Sequence, residues 1–180
     1  KVLGDTIEAI AGEKAGIIKP GVPAVSAPQR KGALDVIVRK AAAEGAPLTI
    51  VGQDWLWSPV GADLAGQTLA VYRAGHAGAP EYEALEIPLL GAHQQENATT
   101  AIAALEVLRE GGRPLGRAAV LKGLSEVCWP GRMEILGRRP LVVVDGAHNP
   151  YSMERLLEAL RRYLPHRRLL AVFGSGVTHA

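Results

Sequence analysis

Residues 22–51 read VPAVSAPQRKGALDVIVRKAAAEGAPLTIV, which is a short apolar segment, a longer amphipathic one and a second short apolar one. Val22–Ser26 and Leu48–Val51 have the length and composition of buried strands. Between them, apolar residues recur at helical spacing from Leu34 to Glu44, and Gly45 is suited to end that helix. A strand, a helix and a second strand in this order form a βαβ unit with parallel strands. The sequence therefore predicts an α/β fold built on a parallel sheet.

The segments on either side extend this α/β pattern. Upstream, Asp5-Thr6-Ile7-Glu8 has the form of a capping box with Asp5 at the N-cap, and it predicts a helix ending near Ala15. Downstream we expect an antiparallel pair of strands at a sheet edge, then two helices, then a second strand–helix–strand unit. The two strands are Leu69–Tyr72 and Tyr82–Leu90, and the two helices are Asn97–Glu110 and Leu115–Val127. The last unit consists of the strand Leu141–Val144, the helix Pro150–Leu164 and the strand Leu169–Phe173. Arg138-Arg139-Pro140 breaks the pattern before the last unit, so we place a domain boundary there.

Composition argues against several classes of protein. A length of 180 residues suits one full domain, or one domain plus part of a second, and 48% hydrophobic with 21% charged residues allow a sizeable core. A formal charge of +2 is too small to indicate nucleic acid as a partner. No apolar run approaches the roughly 20 residues that a membrane helix needs. Cys128 is the only cysteine, so no internal disulfide and no cysteine metal cluster can form. We expect a soluble, cytoplasmic, monomeric protein with no membrane or nucleic-acid partner.

Lys14 is an unusual residue for its position. It continues the helical spacing of Ile7, Ile10 and Ala11, which places a cation on the apolar face of the first helix. The structural interpretation is that its aliphatic stem lies on the core while its ammonium group reaches solvent. The functional interpretation is that this lysine belongs to an active site. Periodicity alone leaves both open.

The richest cluster of chemical groups is Asp145-Gly146-Ala147-His148-Asn149. Asp145 follows a predicted buried strand, and ligands in open parallel sheets bind beyond the carboxyl ends of the strands. Asn149 is interpreted as an N-cap, because Pro150 after it is favoured at the first helical position. Asp145 and His148 together favour a binding or catalytic role over a turn alone.

Two further residues have two interpretations each. Arg132 follows Pro130-Gly131 next to the predicted boundary, where a guanidinium can bind a phosphate or brace two domains. Asn97 and His93 lie four residues apart around a predicted helix start, where the amide can bind an adenine base or cap the helix. The sequence contains no Gly-rich phosphate loop of the Gly-x-x-x-x-Gly-Lys-Ser/Thr kind. Because the chain opens on Lys1 rather than Met and closes after an apolar strand, we expect a piece of a longer protein.

Four segments together carry a resemblance to a known family. They are residues 3–21 (LGDTIEAIAGEKAGIIKPG), 91–98 (GAHQQENA), 129–134 (WPGRME) and 145–150 (DGAHNP). In this order and spacing they resemble the folylpolyglutamate synthases and dihydrofolate synthases of the Mur ligase superfamily. The resemblance implies residues 1–137 as the C-terminal part of the ATPase domain, with a parallel sheet and an antiparallel edge. It implies residues 138–180 as the start of a smaller Rossmann-like domain.

The resemblance also implies an activity and a set of site residues. ATP, with Mg²⁺, activates a carboxylate of folate or dihydropteroate as an acyl phosphate, and L-glutamate then forms the amide. Lys14 matches the family's carbamylated lysine, a catalytic residue that supports the Mg²⁺. Asn97, Arg132 and Asp145 match its contacts to the base, phosphate and ribose of ATP, and His148 matches a catalytic position near the glutamate and phosphate. In the family, the phosphate loop and the magnesium ligands precede the part of the protein that corresponds to this chain. We therefore expect this chain alone to be inactive.

Two other functions remain open at this point. One is a Mur-type ligase that joins an amino acid to a cell-wall precursor. The other is a non-catalytic nucleotide-binding module. A phosphate loop encoded before Lys1 distinguishes the enzyme from the module, and a folate-contacting loop there distinguishes the two ligases.

Overall fold

The computed structural model describes residues 4–76 and 78–174, so Leu3, the first residue of the first resembling segment, and residues 175–180 of the predicted C-terminal unit lie outside it. The described chain contains both helices and strands, with parallel and antiparallel pairing, and the α/β prediction is confirmed. The elements are α1 (Ile7–Ala15), β1 (Ala24–Ser26), α2 (Lys31–Ala43), β2 (Leu48–Ile50), β3 (Trp55–Asp63), β4 (Gly66–Arg73), β5 (Tyr82–Ile87), α3 (Ala92–Glu110), α4 (Arg117–Ser125), β6 (Glu134–Arg138), β7 (Leu141–Val144) and α5 (Pro150–Tyr163).

The predicted βαβ unit forms from β1, α2 and β2. The two strands are parallel, with Ala24 opposite Leu48 and Ser26 opposite Ile50. A small core joins this unit to α1 through Ala15, Ile18 and Ala41, each less than a tenth exposed. The βαβ prediction is therefore confirmed in both topology and position.

The N-cap of α1 is Thr6, so the prediction of Asp5 as the cap is wrong. The Thr6 hydroxyl oxygen accepts a hydrogen bond from the backbone N–H of Ala9 at 3.1 Å. Thr6 has extended backbone angles and Ile7 is the first helical residue. The residue three positions after the cap is consequently Ala9 rather than Glu8, and a capping box cannot form.

The middle of the chain forms a three-stranded antiparallel sheet, β3-β4-β5. The pair β4–β5 was predicted, whereas β3 was not, because Pro59 and Gly61 weaken a strand pattern. The pairing of β3 with β4 shifts register between these two residues, which accommodates them in a bulge. Helices α3 and α4 pack on this sheet and enclose the main hydrophobic core.

Helix α3 begins five residues before the predicted start, at Ala92 instead of Asn97. Its N-cap is Gly91, whose φ of 120° disfavours any residue with a side chain. The first turn was not predicted because Gln94 and Gln95 interrupt the apolar pattern, although both side chains are buried. His93 and Asn97 therefore lie inside the helix rather than on either side of its start.

The C-terminal part of the described chain is a β6–β7 hairpin followed by α5. The prediction for Asn149 is confirmed, since its side chain accepts a hydrogen bond from the Ser152 backbone N–H at 2.9 Å. The predicted second βαβ unit is not formed, because β7 pairs antiparallel with β6 and residues 169–173 are in no strand. An apolar segment becomes a strand only where a neighbour satisfies its backbone groups, and no described strand pairs with this one. The predicted boundary after residue 137 falls within the hairpin.

Candidate nucleotide-binding site

Two loops are tied together at one end of the β6–β7 hairpin. The backbone N–H of Gly146 donates to the carbonyl of Gly131 at 2.8 Å. The backbone N–H of Met133 donates to Oδ2 of Asp145 at 2.9 Å. These bonds hold the segment that carries Arg132 against the segment that follows β7. The structure thus brings together two residues predicted separately, Arg132 and Asp145.

Asp145 holds the turn and keeps capacity for a ligand. Its Oδ1 accepts a hydrogen bond from the backbone N–H of Ala147 at 2.8 Å, and its Oδ2 accepts the one from the backbone N–H of Met133. Each carboxylate oxygen has a second lone pair, so both can accept another hydrogen bond. The side chain is half-buried at the end of β7. The two interpretations of Asp145 are therefore compatible with each other.

Arg132 is exposed, and its guanidinium lies over the backbone of Gly146. A Cβ atom added to Gly146 would lie 2.9 Å from Nη1 of Arg132. The next residue, Met133, is buried and has a φ of 45°, which lies in the left-handed region. The exposed guanidinium of Arg132 is a cationic, planar donor, which is suited to an anionic ligand.

The first turn of α3 lies within electrostatic range of these two loops. Burial lowers the pKa of His93. The carboxylate of Asp145 opposes this shift, and the cations Arg155 and Arg132 reinforce it. Asn97 is exposed on the same helix, and its Nδ2 donates to Oε1 of Gln94 at 3.1 Å. The amide of Asn97, the guanidinium of Arg132 and the carboxylate of Asp145 therefore belong to one region of the molecule.

Helix α5 borders this region with charged groups that sequence reasoning missed. Burial raises the pKa of Glu96 on α3, and the nearby guanidinium of Arg155 opposes that shift. Arg155 pairs with Glu158 at 3.1 Å, while its Nε is buried and has no hydrogen-bond partner among the described residues. Glu96 lies in a segment that carried the resemblance, but Arg155 lies within an ordinary amphipathic helix and gave no signal.

His148 shares the loop of Asp145, and its side chain is exposed. Its Nδ1 lies 3.0 Å from the carbonyl oxygen of Gly146, and its backbone N–H donates to the Ser152 hydroxyl. The imidazole thus turns back onto its own loop in this structure.

Lys14 lies apart from the other predicted residues. It lines an apolar groove of about 340 Å³ between α1, α2 and β1, together with Ile7 and Ile10. None of Asn97, Arg132, Asp145 and His148 lines that groove. The shared face with Ile7 and Ile10 agrees with the helical spacing, but the Lys14 side chain is exposed rather than partly buried.

The described residues fit a nucleotide better than a complete metal site. They include no cluster of three or more His, Cys, Asp or Glu side chains able to hold a metal ion. For a nucleotide they offer an amide, a guanidinium over a glycine and a carboxylate with free lone pairs. No described helix combines the length and apolar character needed to cross a membrane.

Comparison with known proteins gives the same family as the four segments. The model of the Mur ligase glutamate ligase domain matches residues 131–178. The chain is 36% identical to the dihydrofolate synthase/folylpolyglutamate synthase of Bacillus subtilis, over 97% of this chain and 40% of that protein. It superposes with a TM-score of 0.81 on a folylpolyglutamate synthase solved with AMPPCP and folate, at 34% identity, covering 89% of this chain and 38% of that one. This chain is a relative of the folylpolyglutamate and dihydrofolate synthases.

A cell-wall ligase also matches part of this chain. The UDP-N-acetylmuramoyl-L-alanyl-D-glutamate–2,6-diaminopimelate ligase of Pseudomonas aeruginosa is 46% identical over 97 residues, covering 51% of this chain and 18% of that protein. The folate-type relatives match nearly the whole chain, although the chain spans only about two fifths of their length.

Proposed function

We propose that this chain forms the nucleotide-binding part of an ATP-dependent ligase that adds L-glutamate to folate or dihydropteroate. The observation that carries the proposal is the pair of cross-tied loops at residues 131–133 and 145–147, which lie within electrostatic range of the first turn of α3. A relative of the same fold was solved with AMPPCP and folate, which supports a nucleotide and a folate as the ligands. Because the chain spans 40% of the Bacillus relative, the activity is proposed for the complete protein.

The reaction proceeds in two steps with an acyl phosphate between them. A carboxylate oxygen of the folate attacks the γ-phosphorus of ATP, and the bond to ADP breaks. The neutral amino group of glutamate then attacks the activated carbonyl, phosphate leaves, and the nitrogen loses a proton as the amide forms. This sequence is chemically favourable because a free carboxylate is a poor electrophile, whereas its mixed anhydride with phosphate is a good one.

The site residues then take defined roles. Asn97 binds the adenine base, Arg132 a phosphate and Asp145 the ribose hydroxyls. The two lone pairs that Asp145 keeps free suit two hydroxyl donors. The guanidinium of Arg132 suits the planar, bidentate recognition of phosphate oxygens. His148 acts near the glutamate and the transferred phosphate, which requires its imidazole to turn away from the carbonyl of Gly146.

Mg²⁺ and Lys14 belong to the finer part of the proposal. The Lys14 ammonium would first lose a proton, and the neutral amine would then add CO₂ and release a second proton, giving a carbamate on a long stem, an oxygen ligand of the kind that Mg²⁺ prefers. The described residues hold no cluster that completes a magnesium site, and the sequence has no phosphate loop. We therefore propose that these groups come from another part of the protein and that this chain alone is inactive.

The remaining features of the proposal concern organisation. We propose that residues 1–137 belong to the ATPase domain and residues 138–180 to the glutamate ligase domain, with the protein a cytoplasmic monomer. The family match beginning at residue 131 supports a division near the β6–β7 hairpin. We propose no nucleic-acid or membrane partner, since the formal charge is only +2.

A cell-wall ligase is the second candidate, favoured by the 46% identity to the Pseudomonas enzyme. It shares the ATP chemistry and differs in the acceptor. That match covers only 51% of this chain, whereas the Bacillus relative matches 97% of it, which favours folate as the acceptor.

The test is a glutamate-addition assay on the complete gene product and on this chain alone. With ATP, Mg²⁺, radiolabelled glutamate and either dihydropteroate or a reduced folate, the complete protein is expected to release ADP in proportion to the amide formed. This chain alone is expected to give no turnover above a heat-inactivated control. Turnover with a muramyl-peptide precursor and none with either folate acceptor would support the cell-wall ligase instead. Turnover by this chain alone would contradict its proposed inactivity.

A further inference from the structure

A buried amide connects the three-stranded sheet to the start of α3. Gln67 lies on β4 and is 3% exposed. Its Nε2 donates to the carbonyl oxygens of Leu89 and Gly91, at 2.6 and 2.9 Å. Its Oε1 accepts from Nε2 of Gln95 at 2.8 Å. One side chain thus bonds to the segment before α3 and to the second turn of the helix itself.

The hydrogen bond from Gln67 to Gly91 lies at the N-terminus of α3, where the helix has no side-chain cap. Gly91 is the N-cap of α3, and no side chain caps the free N–H groups of the first turn. Its carbonyl accepts from the Gln94 backbone N–H at 2.9 Å as well as from Gln67. The entry angle of α3 therefore depends on Gln67, because this side chain holds the cap residue and the helix to the same strand.

The same turns of α3 carry residues of the proposed nucleotide site. Asn97 bonds to Gln94, which directly precedes Gln95 in the helix. His93 lies within reach of the charges of Asp145 and Arg132. A shift of the helix start would move Asn97 and His93 relative to the two loops, which their own mutual hydrogen bonds would keep in place.

We propose that Gln67 is a positioning residue for the nucleotide, acting through the N-terminus of α3. The inference rests on the proposed function, since the nucleotide is the ligand whose binding reports the position of Asn97. Gln67 itself lies under the helix and is not assigned any contact with the ligand. Its role is to set the distance between the base-binding amide on α3 and the phosphate- and ribose-binding loops.

Two substitutions remove this role in different ways. Gln67→Leu removes the donors to Leu89 and Gly91 and the acceptor for Gln95. Gln67→Glu has nearly the same shape and keeps that acceptor, but burial raises the pKa of a carboxyl group there, and the protonated group has one donor for two carbonyl oxygens. If Gln67→Leu fails to fold, Gln67→Glu provides the measurement. Val71→Ala is the matched control, because Val71 is a fully buried residue of the same strand.

The experiment measures the dissociation constant of AMPPCP for the complete protein, at a temperature where each variant is fully folded. Gln67→Leu or Gln67→Glu is expected to raise it about tenfold, the loss expected for one misplaced hydrogen bond. Val71→Ala is expected to change it less than about twofold while lowering Tm. Hydrogen exchange at residues 92–95 is expected to accelerate in the Gln67 variants and not in Val71→Ala.

The outcomes separate the two proposals. If wild type binds AMPPCP and Arg132→Ala weakens binding, but the Gln67 variants bind as wild type does, the positioning role is wrong and the proposed function stands. Equal weakening by Val71→Ala would also refute the positioning role, since any loss of stability in β4 would then have the same effect. If wild type fails to bind AMPPCP, the proposed function and this inference are both wrong.

Discussion

Gly146→Ala is expected to weaken nucleotide binding without unfolding the protein. The new Cβ would lie 2.9 Å from Nη1 of Arg132 and 3.4 Å from the carbonyl oxygen of Gly131. The second distance is an ordinary contact, and Gly146 is not among the residues with positive φ, so alanine is sterically allowed there. The first distance is too short, and the end of the exposed Arg132 side chain has to move.

The magnitude follows from what Arg132 loses. A hydrogen bond from a charged group contributes about 1.5–3 kcal/mol, which is roughly a 10- to 150-fold change in affinity. Arg132→Ala is expected to cost that much, and Gly146→Ala up to the same amount. Folding should change by no more than about 0.5 kcal/mol, as for most surface substitutions. The double variant should bind no more weakly than Arg132→Ala, because both changes remove one interaction.

The assay is AMPPCP titration by calorimetry on the complete protein, with thermal unfolding of each variant. Gly123→Ala is the control, since a Cβ at Gly123 in α4 meets no atom within 4 Å. It should leave the affinity unchanged. Additive losses in the double variant would refute displacement of Arg132 as the cause. Unchanged affinity in Arg132→Ala would refute the phosphate role itself.

Three further predictions concern stability, titration and catalysis. Tyr82→Phe removes a 2.8 Å bond to Oε1 of the buried Glu106 and is expected to cost about 1.5–3 kcal/mol; no loss in denaturant unfolding would refute this contribution. Burial raises the pKa of Tyr82 to about 12. The stabilising effect of the protonated Tyr82 hydroxyl is therefore complete below pH 10 and should fade between pH 10 and 12. Tyr82→Phe should lack this part of the fall in the free energy of unfolding. Burial lowers the pKa of His93, so wild-type stability should fall as pH drops below about 6.5, and His93→Gln should fall less between pH 7.5 and 5.5; parallel curves would exclude His93 as the cause. Lys14→Ala should abolish glutamate addition by the complete protein and regain part of it with added formate, whereas full activity would mean that Lys14 only covers apolar surface.

The site was only partly predictable from the sequence. Asp145 and His148 were recognised because a carboxylate and an imidazole follow an apolar run, and that pattern is local. The contribution of Arg155 was not, because its influence on His93 and Glu96 depends on where the fold places α5 relative to α3. Lys14 was predicted in part, since helical spacing placed it on an apolar face but could not determine how exposed its side chain is.

Local order was determined by the sequence itself. Helix α2 of the βαβ unit and the Asn149 cap depend on neighbours a few residues away, and those interactions are readable along the chain. Tertiary structure decided what depends on distant partners. Strand β3 formed despite Pro59 and Gly61 because β4 satisfies its backbone groups, and the apolar run at residues 169–173 formed no strand because no described strand pairs with it. The bond from Gln67 to Gly91, the N-cap of α3, joins residues 24 positions apart, and sequence spacing does not reveal which groups satisfy a buried amide.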